Sequence, residues 1–128
     1  MIDSDRSRRG GRVNRTKSRV RDAIKEYGGN AAVWITQGYT IENYVPAELL
    51  TVAVTKVHSE ASYEWHGDRY SNPLDPDRLN RRSAADKTAV AQAVVDVWGR
   101  DTRWPLDLQD QVAGLAASIR AANELPSA

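Results

Sequence analysis

Near the start of the chain, Met1-Ile2 runs into Asp3-Ser4-Asp5, two carboxylates separated by one residue. Side chains alternate between the faces of an extended backbone, so Asp3 and Asp5 would lie on the same side, close enough to share one or two hard cations. Such cations activate water and stabilise a leaving oxygen in phosphodiester cleavage. Equally, both could be surface acids at a frayed terminus. Glu42, in Ile41-Glu42-Asn43-Tyr44-Val45-Pro46, could join the pair as a third ligand, or could simply favour the positive end of the helix that follows. Asn43 and Tyr44 read as residues that orient and pack. Lys87 falls in the first turn of a predicted helix, where a cation opposes the helix dipole. Beside a metal site its ammonium could bind a scissile phosphate; otherwise it extends into solvent at small cost.

Charge is unevenly spread around these residues. Positions 1 to 21 carry Arg6, Arg8, Arg9, Arg12, Arg15, Lys17, Arg19 and Arg21 against Asp3 and Asp5, a local +6 inside an overall +1, which leaves −5 for the rest. A basic end next to an acidic pair suits a phosphate-bearing partner, with Arg6, Arg8, Arg9, Arg12 and Lys17 as candidate nucleic-acid contacts. A solvated basic tail fits the same charges. The chain has no cysteine, which excludes disulfides and thiolate metal sites, and His58 and His66 do not form a ligand spacing. Oxygen ligands therefore point to magnesium or manganese. No apolar run approaches the roughly 20 residues that span a bilayer, and no secretory signal is present, so no membrane partner and a cytoplasmic location are expected.

The positioning elements follow from periodicity. At 128 residues and 41% hydrophobic, the chain can build one modest core. Asn14 can cap a helix whose apolar residues Val13, Val20, Ala23, Ile24 and Tyr27 recur at helical spacing, with Gly28-Gly29 closing it. Ala31 to Thr36 reads as a buried strand, and Met1-Ile2 as the stub of the strand before it. Pro46 opens a second helix that runs to about His58. Residues 59–82 read as a long loop, whose Tyr63, Trp65 and Tyr70 could stack on bases or fold back on the domain. Trp34, Trp98 and Trp104 are expected at the core or its edge. Ser83 and Asp86 suggest a capping box for a third helix bearing Val90, Ala93, Val94 and Val97. A last helix starts near Pro105 or Leu108, carries Val112, Leu115, Ala116, Ile119 and Ala122 in phase, and ends before Pro126.

Ile2-Asp3-Ser4-Asp5-Arg6, the helix opening at Asn14 to Lys17, Ile41 to Pro46, and Asp86-Lys87 together resemble the latter part of the TOPRIM domain of OLD-family ATP-dependent endonucleases. The resemblance covers nearly the whole chain. It implies an α/β fold: a partial parallel sheet flanked by helices over 1–58, the loop 59–82, and additional C-terminal helices in 83–128 of the same domain. It also implies Asp3, Asp5 and Glu42 as metal-site acids, Glu42 and Lys87 as catalytic residues, and Mg or Mn as the cofactor. The expected function is part of a metal-dependent nuclease acting on DNA, with a role in defence against phage suggested by the family alone. TOPRIM domains carry a further acidic residue before the Asp-x-Asp segment, and OLD-family enzymes carry an ATPase domain, but no G-x-x-x-x-G-K-[ST] occurs here. The chain is thus expected to be a fragment, a subunit or a degenerate remnant, inactive alone, homo-oligomeric, and completed by an ATPase domain upstream or in another chain. The alternative is a non-catalytic module that binds nucleic acid or an acidic partner through its basic N-terminal segment.

Overall fold

The Asn14 side-chain oxygen accepts from the Thr16 N–H at 2.8 Å and caps α1 (Arg15–Tyr27), as expected. Gly28 ends the helix with φ 72° and donates its N–H to the Lys25 carbonyl. The computed structural model describes residues 1–28 and 31–123, so Gly29 and Pro126 lie outside the described residues. After a 3-10 turn at Ile41–Tyr44 come α2 (Ala47–Val57), α3 (Lys87–Val97) and α4 (Leu108–Ala122). Among the described residues, no helix is long and apolar enough to cross a membrane.

The predicted parallel sheet is not formed. Among the described residues there are four α-helices and no strand; the pairing of the two expected strands is a single parallel bridge between Ile2 and Ile35. Its bonds run from the Ile2 N–H to the Trp34 carbonyl at 2.7 Å and from the Thr36 N–H to the Ile2 carbonyl at 3.0 Å. Polar side chains stop the ladder there. The Ser4 N–H donates to Thr36 Oγ1 at 2.9 Å, Ser4 Oγ donates to the Gly38 carbonyl at 2.6 Å, and Asp5 turns away with φ 52°. Short hydroxyl side chains compete with backbone pairing in this way, and so an element of β composition became a polar corner.

The core lies on the other side of that corner. Leu50, Ala53 and Val54 of α2 pack against Val90, Ala93 and Val94 of α3, and the segment between the two helices closes over them. That segment has no regular element, as expected, but Ala61, Tyr63 and Trp65 are buried while Ser62, Glu64 and His66 are exposed. Such alternation marks an extended stretch lying on a core. Tyr63 and Trp65 therefore fold back on the domain; Tyr63 donates to the Pro73 carbonyl at 3.0 Å. Each large side chain fully buried this way contributes roughly 1.5–3 kcal/mol. Asp86 alone caps α3, accepting from the Ala89 N–H at 3.0 Å, whereas the expected partner Ser83 accepts from Arg81. The apolar rows of α1 and α4 bury no residue, and Trp104 is exposed rather than at the core.

Candidate functional site

Residues 36 to 44 form the frame of the site. Gly38 follows Thr36 closely; a Cβ there would meet Asn43 Cβ at 2.5 Å, so only glycine fits. The Thr40 N–H donates to Asn43 Oδ1 at 2.7 Å, and Asn43 Nδ2 donates to the carbonyls of Asp68 and Ser71 at 3.2 and 3.1 Å. Tyr44 accepts from the Gln37 N–H at 2.8 Å and donates to Asp107 Oδ1, tying the 3-10 turn to the start of α4. Asn43 and Tyr44 thus orient and pack, as their types suggested. Between them and Thr40 sit Ile41 and Glu42, held from both sides.

This frame brings together three of the expected residues. Asp3 Oδ1 accepts from the Ile41 N–H at 3.0 Å, so the first carboxylate is fixed to the turn that carries the second. Lys87 Nζ lies 3.0 Å from Glu42 Oε1, with the lysine 59% exposed and the glutamate only 13%. The other oxygen, Glu42 Oε2, is buried and has no hydrogen-bond partner. Burial, and then the charge of Glu42, push the Asp3 carboxyl above the usual aspartate range, against the opposing pull of the Ile41 N–H and Lys87. For Glu42, burial pushes upward too. The Thr40 hydroxyl, its own backbone N–H and Lys87 more than offset that and hold the carboxyl below the usual glutamate range.

Asp5 does not join them. Its carboxylate pairs with Lys17, whose ammonium also donates to the Asp3 carbonyl at 2.7 Å. Lys17, expected at a phosphate, thereby braces the acidic segment instead. Arg8, Arg9 and Arg12 are exposed on the turn leading into α1, where the Gly11 N–H donates to the Arg8 carbonyl at 3.0 Å. Arg6 is half-buried, and its Nε is buried without an acceptor. Among the described residues no three acids or histidines gather closely enough to hold a metal ion. The donor set available is therefore the pair Asp3 and Glu42, and magnesium is commonly held by one or two carboxylates with water and substrate phosphate completing its shell.

Sequence reasoning passed over the network behind the site. Thr40 and Asn43 stand three residues apart, the spacing of reciprocal caps, and Gly38 precedes them; those were the available signals. His58 is likewise buried, accepting from the Asp86 N–H through Nε2 at 3.2 Å and contacting Arg81 through Nδ1, which anchors the start of α3 and hence Lys87. Compared with family models, with curated proteins and with solved structures, the chain finds no match.

Proposed function

We propose that Asp3 and Glu42 hold a magnesium or manganese ion, and that the chain forms part of a metal-dependent nuclease site acting on DNA phosphodiester bonds. The observation that carries this is the buried, partnerless Oε2 of Glu42 next to an Asp3 whose ionisation Glu42 itself opposes. A buried carboxylate oxygen without a donor is costly, and a second carboxylate beside it adds repulsion; a divalent cation relieves both. When bound, the ion would supply activation of water and stabilisation of charge on the phosphodiester. Lys87, exposed beside Glu42, would meet the phosphate, and Arg8, Arg9 and Arg12 would engage flanking backbone phosphates. With two carboxylates in the set, substrate phosphate and water, or an acid from another segment or chain, would supply the remaining ligands. The resemblance to TOPRIM nucleases is consistent with such a division, including an ATPase partner and a cytoplasmic setting.

The test is calorimetric titration with manganese of the wild type and of Asp3→Ala, Glu42→Gln and Asp5→Ala, each checked for native circular dichroism. Binding should disappear in the first two and persist in Asp5→Ala. Equal affinity in all four proteins would overturn the proposal. The exposed arginines favour a second possibility, a module that binds nucleic acid without metal. In that case Asp3→Ala should slightly strengthen DNA binding by removing a repulsive charge.

A further inference from the structure

Beside Glu42 and Lys87 lies a recess of about 250 Å³ lined by aliphatic side chains, among them half-buried Val45, exposed Ala91 and Val95, and the buried core residues Leu50, Val90 and Val94. Its rim is shared with the polar site. Glu42 and Lys87 both border it, as does Ile41, whose N–H holds Asp3. An apolar body that enters here is thus joined at once to the cation–phosphate position. Ligand pockets for drug-sized molecules run from about 300 Å³ upward, so this one suits a single ring system. A partner helix would need a longer groove, with successive anchors at helical spacing.

We infer that this recess takes the base of an unstacked nucleotide whose phosphate lies at Glu42 and Lys87, which makes the substrate single-stranded DNA at that point. The inference rests on the phosphodiester chemistry proposed above. A phosphate attached to a flat ring with apolar faces is what the juxtaposition fits: the exposed ammonium of Lys87 meets the anion, the aliphatic walls meet the ring faces, and the polar edge of the base stays toward the rim. Bases within a duplex have those faces covered by their neighbours and must be unstacked before they can enter.

Ala91 and Val95 are exposed on α3 and border the recess, so they can be changed without disturbing the core. Calorimetric titrations would compare a thymidine tetranucleotide, an abasic tetramer with the same number of phosphates and a blunt duplex, each with and without manganese. The wild type should bind the tetranucleotide about tenfold more tightly than the abasic tetramer, the order of magnitude expected for burying the apolar faces of one ring. It should bind the duplex no better than the abasic strand. Ala91→Phe, which fills the recess, should lose the base preference while still binding manganese, and Val95→Ser should reduce it. Equal affinity for the three nucleic acids, no binding of any of them, or a base preference that survives Ala91→Phe would overturn the inference. A base preference that Ala91→Phe abolishes, in a protein that does not bind manganese, would uphold the recess and overturn the metal site alone.

Discussion

Replacing Asn43 by alanine removes the centre of the frame. The side chain makes four hydrogen bonds, accepting from the Thr40 N–H at 2.7 Å and weakly from the Thr40 hydroxyl at 3.4 Å, and donating to the Asp68 and Ser71 carbonyls at 3.2 and 3.1 Å. Asn43 and Thr40 are buried, so in Asn43→Ala the Thr40 N–H is left without a partner at a cost of roughly 1–3 kcal/mol. The two carbonyls belong to residues that are exposed or half-buried, and water can replace part of what is lost, about 0.5 kcal/mol each. The total comes to about 3 kcal/mol, about a fifth to three fifths of the stability of an ordinary domain of roughly 5–15 kcal/mol. Urea unfolding followed by tryptophan fluorescence, with the buried Trp65 as reporter, should therefore show the midpoint lowered by about 1–3 M, given slopes of about 1–3 kcal/mol/M. The slope itself should not change. Because Asn43 adjoins Glu42, manganese affinity should fall as well, under conditions where the variant is still folded. A stability loss below about 0.5 kcal/mol would refute the accounting, since surface substitutions stay within that range.

Other perturbations probe the same frame and its charges. Gly38→Ala should destabilise by about 1–3 kcal/mol through the clash with Asn43, read as a lowered melting temperature; an unchanged melt would show that the corner yields freely. Asp3→Asn keeps the acceptor for the Ile41 N–H but removes a carboxyl whose folded pKa is raised by burial and by Glu42. A raised acid binds its proton more tightly in the folded state, so ionised Asp3 opposes folding as pH rises through that value. The metal-free variant should thus be more stable than the wild type at neutral pH, the gap closing in acid, in urea titrations at several pH values. Glu42 has the opposite sign: its lowered carboxyl stabilises above its ordinary value of 4.5, and that contribution is lost as pH falls through the folded pKa. Lys87→Met should shrink this contribution by less than about 1 kcal/mol at neutral pH, because the pair is open to solvent on the lysine side, and have no effect in strong acid.

Local signals carried the helices. The Asn14 cap, the Pro46 boundary and the apolar rows of α2 and α3 are decided within a few residues of themselves, and each was legible. The failure at Ala31 to Thr36 has a different origin. Its composition favours a strand, but the pairing partner offers Ser4 and Asp5 after a single bridge, and the hydroxyls of Ser4 and Thr36 take up the backbone groups that a ladder would have used. Propensity along one segment does not report what its neighbour presents. At Ala61 to Trp65 the signal was present, since buried and exposed residues alternate there, but the surrounding glycine, prolines and charges obscured it. As for the site, the residue types of Asp3, Glu42 and Lys87 were enough to nominate them, whereas the division of Asp5 to Lys17 depended on a left-handed turn at Asp5 that no pattern announces.

The way these charges are shared supports the proposed cation more strongly than their number does. A purely structural lysine between two acids gains most by contacting both. Lys87 instead meets Glu42 through Oε1, while Asp3 is tied to a backbone N–H and Glu42 Oε2 is left buried and bare. Two carboxylates against one ammonium leave a residual negative charge in a partly desolvated place, and burial followed by the charge of Glu42 raises Asp3. Folding alone has no use for an ionised Asp3 there, and replacing it with asparagine would remove that cost. Proteins keep such unfavourable groupings where a ligand repays them. A divalent cation between Asp3 and Glu42 would satisfy the bare oxygen and reverse the sign of the local charge, leaving Lys87 free to face an incoming phosphate.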